Sequence, residues 1–161
     1  MMFSIVVIMS SFSSKIIILC ISDSHKHYNS AIEEFCKRLW KHIQVLSIKP
    51  QKSWTHEQII HKETVSIIEK LEKYNEYTKI LLEKWGEQRS SEQFAMMLEK
   101  SPKTLYIIGG PYGLDKNLLS PKVDGIISFG SHTMPHGLAL LTLLEQIWRG
   151  KCIVEAREYH Y

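Results

Sequence analysis

A glycine-rich motif, Ile108-Gly109-Gly110-Pro111-Tyr112-Gly113-Leu114, directly follows a run of apolar residues that is typical of a buried strand. Glycines at this spacing allow a tight turn and let the backbone approach a ligand closely. The motif lacks the Lys-Ser/Thr pair of a phosphate-binding P-loop and the GxGxxG pattern of a dinucleotide fold. Taken alone, it fits a structural turn as well as a ligand-binding loop.

Two further loops hold the same position at the end of a strand. One follows Leu82 and contains Gly86, and the other follows Ser128 and contains Gly130. In open α/β sheets, ligands bind beyond the carboxyl ends of the strands. The three loops that follow Leu82, Ile108 and Ser128 are therefore candidates for a ligand site.

The eight histidines do not show the spacing of a metal site. Apart from a His-Lys-His sequence in an expected turn, none forms HxH, HExxH or a Cys/His cluster, so we expect no metal. His132, His136 and His160 lie in a loop, at a helix start and near the chain end, where an imidazole can shuttle a proton or contact phosphate. An ordinary solvent-facing histidine is the alternative for each. No nucleophile elbow or Cys/His pair supports hydrolase chemistry.

Strands and helices alternate along most of the chain. Apolar runs predict five strands, at Lys15–Ile21, Ile43–Ile48, Thr78–Leu82, Lys103–Ile108 and Gly125–Phe129. Apolar residues at three- and four-residue steps predict helices over Tyr28–Leu39, Ile60–Tyr74, Ser90–Leu98 and Gly137–Gly150. Good N-cap residues precede the first of these helices, Asp23 and Ser24, and a capping box opens the third, Ser90 with Gln93. The alternation predicts an α/β fold, a mostly parallel sheet flanked by helices.

The last predicted helix is apolar over most of its circumference. Its polar residues fall on one narrow strip, formed by Thr142, Glu145, Gln146 and Arg149. Such a helix needs two apolar neighbours, for instance its own sheet and a second subunit.

Length and composition indicate one domain. The chain has 161 residues with 44% apolar and 23% charged residues, enough for one core. We expect residues 15–161 to form that domain and residues 1–14 to be an N-terminal extension, disordered or wrongly included if translation starts at Met9. The apolar run in this extension is too short to span a membrane. Three widely spaced cysteines favour a reducing compartment, and hence the cytoplasm.

The net charge of +3 neither requires nor excludes a nucleic-acid partner. Its distribution is uneven, because residues 24–52 hold six lysines or arginines and only two acids. This stretch fits a surface that faces phosphate, and it fits a solvated helix equally well.

Three segments follow one another at suggestive spacings. The first holds Leu82, Gly86 and the run 90–95, the second is the motif 108–114, and the third is Ser-Phe-Gly-Ser-His-Thr-Met-Pro-His over 128–136. Together they resemble the ribosomal large-subunit pseudouridine N3-methyltransferase family of the SPOUT superfamily. The resemblance extends through 144–149 to Tyr159-His160 and covers about Lys15 to Tyr161. It implies a SPOUT-type α/β domain whose C-terminal part is threaded into a trefoil knot, an exception to the rule against knots.

The resemblance implies S-adenosylmethionine as the methyl donor, bound by the same three loops. The matching positions are Leu82, Gly109, Phe129, Gly130, Ser131, His132, Thr133 and Met134. Apolar Leu82, Phe129 and Met134 would then sandwich the adenine, and glycine backbone would reach its edges.

The substrate that the resemblance implies is a pseudouridine of large-subunit ribosomal RNA, methylated on assembled ribosomes by a homodimer whose knot helices pack together. A sulfonium methyl is already electrophilic, so the protein must align the attacking nitrogen and help it lose its proton. Tyr159 and His160 are the first candidates for this role, and the general base is either His160 or an adjacent water. His136 and Arg149 are candidates for phosphate or base contacts.

The chain departs from the family pattern at two places. Leu140 stands where the family usually has an arginine, which removes a charged contact to RNA or to the partner subunit. The tail has Ala-Arg-Glu before Tyr159 and ends in Tyr161 rather than in a basic residue. A methyltransferase acting on another RNA, such as tRNA, and a ribosome-binding protein with weakened catalysis are therefore the alternatives.

Overall fold

The structure, a computed structural model, describes residues 11–52 and 54–159. Its elements are β1 (Lys15–Ile21), α1 (Asn29–Arg38), β2 (Ile43–Ile48), α2 (His56–Leu71), β3 (Thr78–Gln88), α3 (Ser91–Lys100), β4 (Lys103–Ile108), α4 (Lys116–Leu119), β5 (Gly125–Ser128) and α5 (His136–Val154). Two 3-10 turns, Glu72–Tyr74 and Ser120–Lys122, follow α2 and α4. Every predicted strand is confirmed, although β3 continues well past its predicted end. The short helix α4 was not predicted.

The five strands form one parallel sheet in the order β2-β1-β4-β3-β5. Both faces are covered, as β1 shows: Ile16, Ile18 and Cys20 belong to a core cluster with α1, α3 and α5, while Ile17, Leu19 and Ile21 belong to one with α2 and α4. We call these the α5 face and the α2 face. Burial on both sides explains why β1 is continuously apolar rather than alternating. The predicted α/β class is confirmed.

The caps of the helices were predicted with mixed success. The capping box of Ser90 and Gln93 is present at α3, and Thr55 with Gln58 forms a second one at α2. The prediction that Asp23 and Ser24 cap α1 is wrong. A turn closed by the bond from the Tyr28 amide to the His25 carbonyl, at 2.7 Å, intervenes, and α1 begins after Tyr28 without a side-chain cap.

Strand β3 passes β5 at very short range beyond Leu82. Ile127 of β5 is aligned both with Leu82 and, after a register shift, with Glu87. A Cβ on Gly86 would lie 2.6 Å from the Ile127 carbonyl carbon, which leaves room only for glycine. Gly86 was predicted to let backbone approach a ligand, but the close neighbour is the backbone of β5.

Helix α5 is covered within its own chain by more neighbours than its sequence suggested. It packs against α3, α1, β1 and β4, and its core residues are Leu140, Leu143, Leu144 and Ile147. Glu155, the first residue after α5, forms a buried ion pair with the last turn of the helix. Lys151 Nζ lies 2.7 Å from both carboxylate oxygens of Glu155. The predicted second neighbour is therefore supplied largely by α1 and α3, and a partner subunit stays a prediction.

Residues 11–14 of the predicted N-terminal extension pack against the domain. Phe12 is 4% exposed and meets the His42 ring edge-on at 4.9 Å, and the Ser14 hydroxyl donates to the Leu98 carbonyl at 3.0 Å. Residues 1–10, including Met9, lie outside the described part of the chain.

Candidate functional site

The three segments singled out in the sequence emerge at one edge of the sheet, but the predicted loop after Leu82 is wrong, because residues 83–88 continue β3 through an irregular register along β5. Strands β4, β3 and β5 are neighbours, and Leu82 is in register with both Ile108 and Ile127. Because the strands are parallel, the loops that follow them leave side by side. This carboxyl edge is the position where open α/β sheets bind ligands.

The loop after β4 is shaped by its glycines. Gly113 has φ +78°, and its amide donates to the Gly110 carbonyl at 3.0 Å, closing a tight turn. A Cβ on Gly109 would lie 3.0 Å from Leu114 Cγ, so the leucine folds back over a bare backbone. At its far end the loop is held by α2, since the Asp115 amide donates to Thr64 Oγ1 at 2.8 Å.

The loop after β5 crosses the carboxyl edge. It starts beyond β5 at the outside of the sheet, and it ends at His136, whose Nε2 lies 3.1 Å from the hydroxyl of Ser22 just after β1. Because β3 and β4 lie between those strands, the loop spans three strand spacings, or roughly 14 Å. It therefore passes over the ends of β3 and β4, where a ligand would sit.

The first turn of this loop is fixed by Ser128. Its hydroxyl lies 2.8 Å from the Gly130 carbonyl and 3.2 Å from the Lys84 carbonyl, and it accepts from the Gly130 amide at 3.0 Å. Gly130 has φ +130°, a conformation that favours glycine. These bonds tie the loop after β5 to the end of β3.

The predicted binding residues at this edge differ in exposure. Leu82 and Phe129 are half-buried against the α5-face core, and Met134 is also half-buried, so each keeps apolar surface available. Ser131, His132 and Thr133 are exposed in the crossing loop. The edge thus combines half-buried apolar side chains of β3 and of the crossing loop with exposed polar side chains and glycine backbone, a combination common in small-molecule sites.

A buried carboxylate behind the β4 loop escaped the sequence analysis. Glu63 is 1% exposed; its Oε1 accepts from the Gln51 amide at 3.0 Å, and its Oε2 has no partner among the described residues. Burial raises the pKa of Glu63, while the bond from Gln51 opposes the shift. A Cβ on Gly110 would lie 2.8 Å from Oε2. The sequence did contain an indication that Glu63 is buried, because it lies four residues from both Ile59 and Ile67 and therefore on the buried face of α2.

His136 belongs to a small polar cluster at the end of β1. Its ring lies 5.6 Å from that of His25, and both face the Ser22 hydroxyl. Burial lowers the pKa of His25, and the charge of His136 lowers it further. Gly137 lets this turn of α5 sit against Tyr28, since a Cβ there would be 2.7 Å from its ring.

Arg149 and Tyr159 lie together at the other end of α5. The guanidinium stacks over the Tyr159 ring at 4.6 Å, and its Nε donates to Glu145 at 3.0 Å. Burial, and then the negative charge of Glu145, raise the pKa of Tyr159, so the phenol is neutral near pH 7. These residues line an open groove of about 490 Å³ between α5 and the start of α3.

Within one chain, the structure does not bring Arg149 and Tyr159 near His136. Arg149 is separated from His136 by most of α5, roughly 20 Å at a rise of 1.5 Å per residue. His160 lies outside the described residues.

Metal-binding groups and membrane-spanning helices are both absent from the described ranges. Residues 11–52 and 54–159 contain no group of three or more His, Cys, Asp or Glu side chains placed to hold a metal ion. Within the same ranges no helix is long and apolar enough to cross a membrane.

Comparison with known proteins supports the resemblance in the sequence. The model of the family described as "Predicted SPOUT methyltransferase" matches residues 14–160. The chain belongs to this family. The predicted methyltransferase class is therefore confirmed, and so is the predicted use of S-adenosylmethionine, the methyl donor of SPOUT methyltransferases.

Several relatives carry the name ribosomal RNA large subunit methyltransferase H. The protein from Thermotoga maritima is 33% identical over 145 residues, covering 88% of this chain and 91% of its own. The one from Mycoplasmopsis pulmonis is 32% identical over 148 residues, covering 91% and 99%. A solved structure, the SpoU methyltransferase AviRb from Streptomyces viridochromogenes with AdoMet, matches with a TM-score of 0.47 at 12% identity. That match covers 85% of this chain and 60% of AviRb.

Two residues that depart from the family pattern, Leu140 and Arg157, have defined surroundings in the structure. Leu140, which stands where the resemblance places an arginine, is fully buried in the α5-face core. In this chain the position therefore contributes apolar packing rather than a surface charge. The unusual residue of the tail, Arg157, is exposed and pairs with Glu155 at 3.0 Å.

Proposed function

We propose that this SPOUT methyltransferase transfers a methyl group from S-adenosylmethionine to N3 of a pseudouridine in large-subunit ribosomal RNA, acting on assembled ribosomes in the cytoplasm. The observation that carries the proposal is the convergence of the β3 segment after Leu82 with the loops after Ile108 and Ser128 at one edge of the sheet. Relatives that align over nearly the whole chain, and that are named as methyltransferases of large-subunit ribosomal RNA, support the substrate.

The carboxyl edge has the groups that an adenosine-containing cofactor needs. Leu82, Phe129 and Met134 would enclose the adenine, because they are the half-buried apolar residues at the loop starts and in the crossing loop. Backbone at Gly109 and Gly130 would approach its polar edge. The exposed polar side chains Ser131, His132 and Thr133 would meet the ribose and the methionine part.

When bound, S-adenosylmethionine supplies an electrophilic methyl group. For the pyrimidine N3 to accept this methyl group, the N3 proton would have to leave. The protein has to align N3 with the methyl carbon and accept that proton. Tyr159 is our candidate for the aligning role, because its ring is held under the Arg149 guanidinium and lines the open groove beside α5. His160 or an adjacent water would take the proton.

A homodimer would bring the tail to the cofactor loops. Within one chain the Arg149–Tyr159 end of α5 lies far from His136, so a second copy has to contribute one of the two parts. Helix α5 retains half-buried apolar side chains, including Leu138, Leu141 and Trp148, on which a partner helix could pack. We therefore propose that the tail of one protomer completes the pocket of the other.

Two inactive variants distinguish a shared site from a site within one chain. Gly109→Val should disturb the close backbone approach at the pocket but keep the fold, since its nearest neighbour is the half-buried Leu114 side chain rather than backbone. Deletion of residues 159–161 should remove the tail. Mixing the two proteins should restore methyl transfer if the tail acts on the partner's pocket. A mixture as inactive as its components, with mixed dimers shown by mass spectrometry, would contradict the shared site.

We propose in addition that the C-terminal part is threaded into the trefoil knot. The double alignment of Ile127 with Leu82 and Glu87, and the tight passage at Gly86, support such a crossing. Mechanical stretching of single molecules tests it. A knotted chain should extend to less than the full contour length of about 3.6 Å per residue, and full extension would refute the knot.

The substrate is tested by labelled methyl transfer to three RNAs. They are ribosomes that carry the pseudouridine, ribosomes from cells that lack the pseudouridine synthase, and bulk tRNA. Labelling confined to the first supports the proposal. Labelling of tRNA would establish the alternative substrate. Cofactor binding without labelling of any of them would indicate a ribosome-binding protein with weakened catalysis.

A further inference from the structure

Exposed aromatic side chains cluster beside the proposed cofactor loops. Trp54, Trp85 and Tyr112 are 47%, 43% and 46% exposed. Trp54 follows β2, Trp85 follows the part of β3 that ends at Leu82, and Tyr112 follows β4. All three therefore lie at the carboxyl edge of the sheet. Single exposed aromatics are common on protein surfaces, whereas a group at one edge indicates an interaction surface.

Each of these rings is held by a cationic or imidazole side chain. Lys62 Nζ lies 3.5 Å from the centroid of the Trp54 ring, and Lys116 Nζ lies 4.1 Å from that of Trp85. We call these two pairs, together with the Tyr112 stack described next, the aromatic band. A lysine over a ring fixes the ring by cation–π attraction and places a positive charge beside it.

The Tyr112 stack joins the two pairs into one surface. The Tyr112 ring stacks on His56 with centroids 4.0 Å apart and planes inclined by 27°. His56 opens α2, directly after the Trp54 segment, and Tyr112 lies in the β4 loop a few residues before Lys116. The band thus runs from the start of α2, by way of the β4 loop that contains the proposed cofactor residue Gly109, to Trp85 in the second part of β3.

Two of the acidic groups near the band are engaged with other partners, while Glu57 lines a groove together with Lys62 and Asp115. Asp115 is engaged by the α4 backbone, accepting from the Asn117 and Leu118 amides at 2.9 and 3.1 Å. Asp23 pairs with Lys52 at 3.1 Å. Glu57, on the first turn of α2, is the exposed carboxylate nearest to His56 along the chain.

We propose that the aromatic band binds single-stranded RNA next to the target base. Alternating aromatic and cationic side chains match a strand whose bases can stack while its phosphates meet lysines. A double helix hides its base faces, so the band favours unpaired nucleotides. The inference rests on the proposed RNA substrate and adds to it the surface that delivers the strand to the cofactor loops.

The test compares a double variant, Trp54→Ala with Trp85→Ala, against Trp40→Ala. Trp40 is a matched control, because it is 70% exposed and has Lys41 over its ring at 5.1 Å but lies before β2, at the opposite edge of the sheet. The probe is a fluorescein-labelled single-stranded oligouridylate, with a duplex of equal length beside it. Affinity is measured by anisotropy at fixed salt.

The band predicts that each lost stacking residue weakens binding by roughly 5- to 150-fold, while Trp40→Ala binds like the wild type. Replacing Lys62 and Lys116 by glutamine should lower the salt slope of log K by about 1.4, since each phosphate contact on a single strand contributes ~0.7. Unchanged affinity in the double variant, or an equal loss in the control, would overturn the inference and leave a protein partner as the reason for exposing these rings.

Methyl transfer to ribosomes separates this inference from the proposed function. If the wild type methylates ribosomes and the double variant does so equally well at limiting RNA, the band is wrong and the function stands. If RNA binding depends on the two tryptophans but no RNA is methylated, the function is wrong and the band stands.

Discussion

Gly86 offers the sharpest test of how β3 and β5 pass each other. A Cβ at this position would lie 2.6, 2.7 and 2.8 Å from the Ile127 carbonyl carbon and oxygen and from the Ile126 carbonyl carbon. All three are backbone atoms of a strand held in the sheet, so they cannot move aside as a side-chain end would. Gly86→Ala must therefore displace β5 or the second part of β3.

The cost follows from overpacking. Inserting a methyl group into a packed interior costs about 1–3 kcal/mol, and a contact with fixed backbone belongs at the upper end. A loss of about 3 kcal/mol corresponds to a fall in Tm of roughly 6–12 °C for a domain of this size. Thermal unfolding followed by circular dichroism, with urea titration for the free energy of unfolding, measures both quantities.

Gly125→Ala is the matched control at the same strand pair. Its Cβ would meet only the end of the Ile80 side chain, at 3.1 Å from Cδ1, so we expect a loss below about 1 kcal/mol. Equal stabilities of the two variants, or a Gly86→Ala protein within about 1 kcal/mol of the wild type, would refute the close passage.

Three further predictions concern α5 and its ends. Glu155→Gln should cost about 3 kcal/mol of unfolding free energy in urea titration, because it leaves Lys151 buried without its charge partner; a loss below about 0.5 kcal/mol would contradict this. The pKa of His25 is lowered in the fold, so its contribution to stability is complete above its unfolded pKa and is lost as the pH falls below about 6.5. His25→Gln should flatten the pH dependence of Tm in that range, and an unchanged curve would exclude this residue. Deletion of residues 159–161 should leave cofactor affinity unchanged in calorimetry while ending methyl transfer to ribosomes, and normal transfer would exclude a role for Tyr159.

The strands could be predicted from the sequence because a parallel sheet buried on both faces imposes a simple pattern. The apolar runs of β1, β2 and β4 have the predicted bounds. The second part of β3 could not be predicted, because Lys84, Trp85 and Glu87 are polar or exposed there and the strand is defined by its passage along β5.

The candidate site could be predicted in part from the same sequence. Glycines after three strands identified the loops, but the purpose of each glycine is set by contacts distant in sequence. Gly86 accommodates β5, and Gly110 accommodates Glu63. Glu63 itself was missed because a carboxylate on a helix suggests a solvated face, and only the packed α2 face shows it buried. The separation of Arg149 from His136 could already be predicted from the helix Gly137–Gly150, because a helix of that length spans roughly 20 Å.

Calorimetric titration of S-adenosylmethionine into the wild type and into Gly109→Val tests the central claim, that the loops at the carboxyl edge of β3, β4 and β5 bind the cofactor. We predict saturable binding to the wild type and no measurable heat with the variant, whose circular dichroism and Tm should show that it is folded. Equal affinities in the two proteins would contradict the assignment of the site.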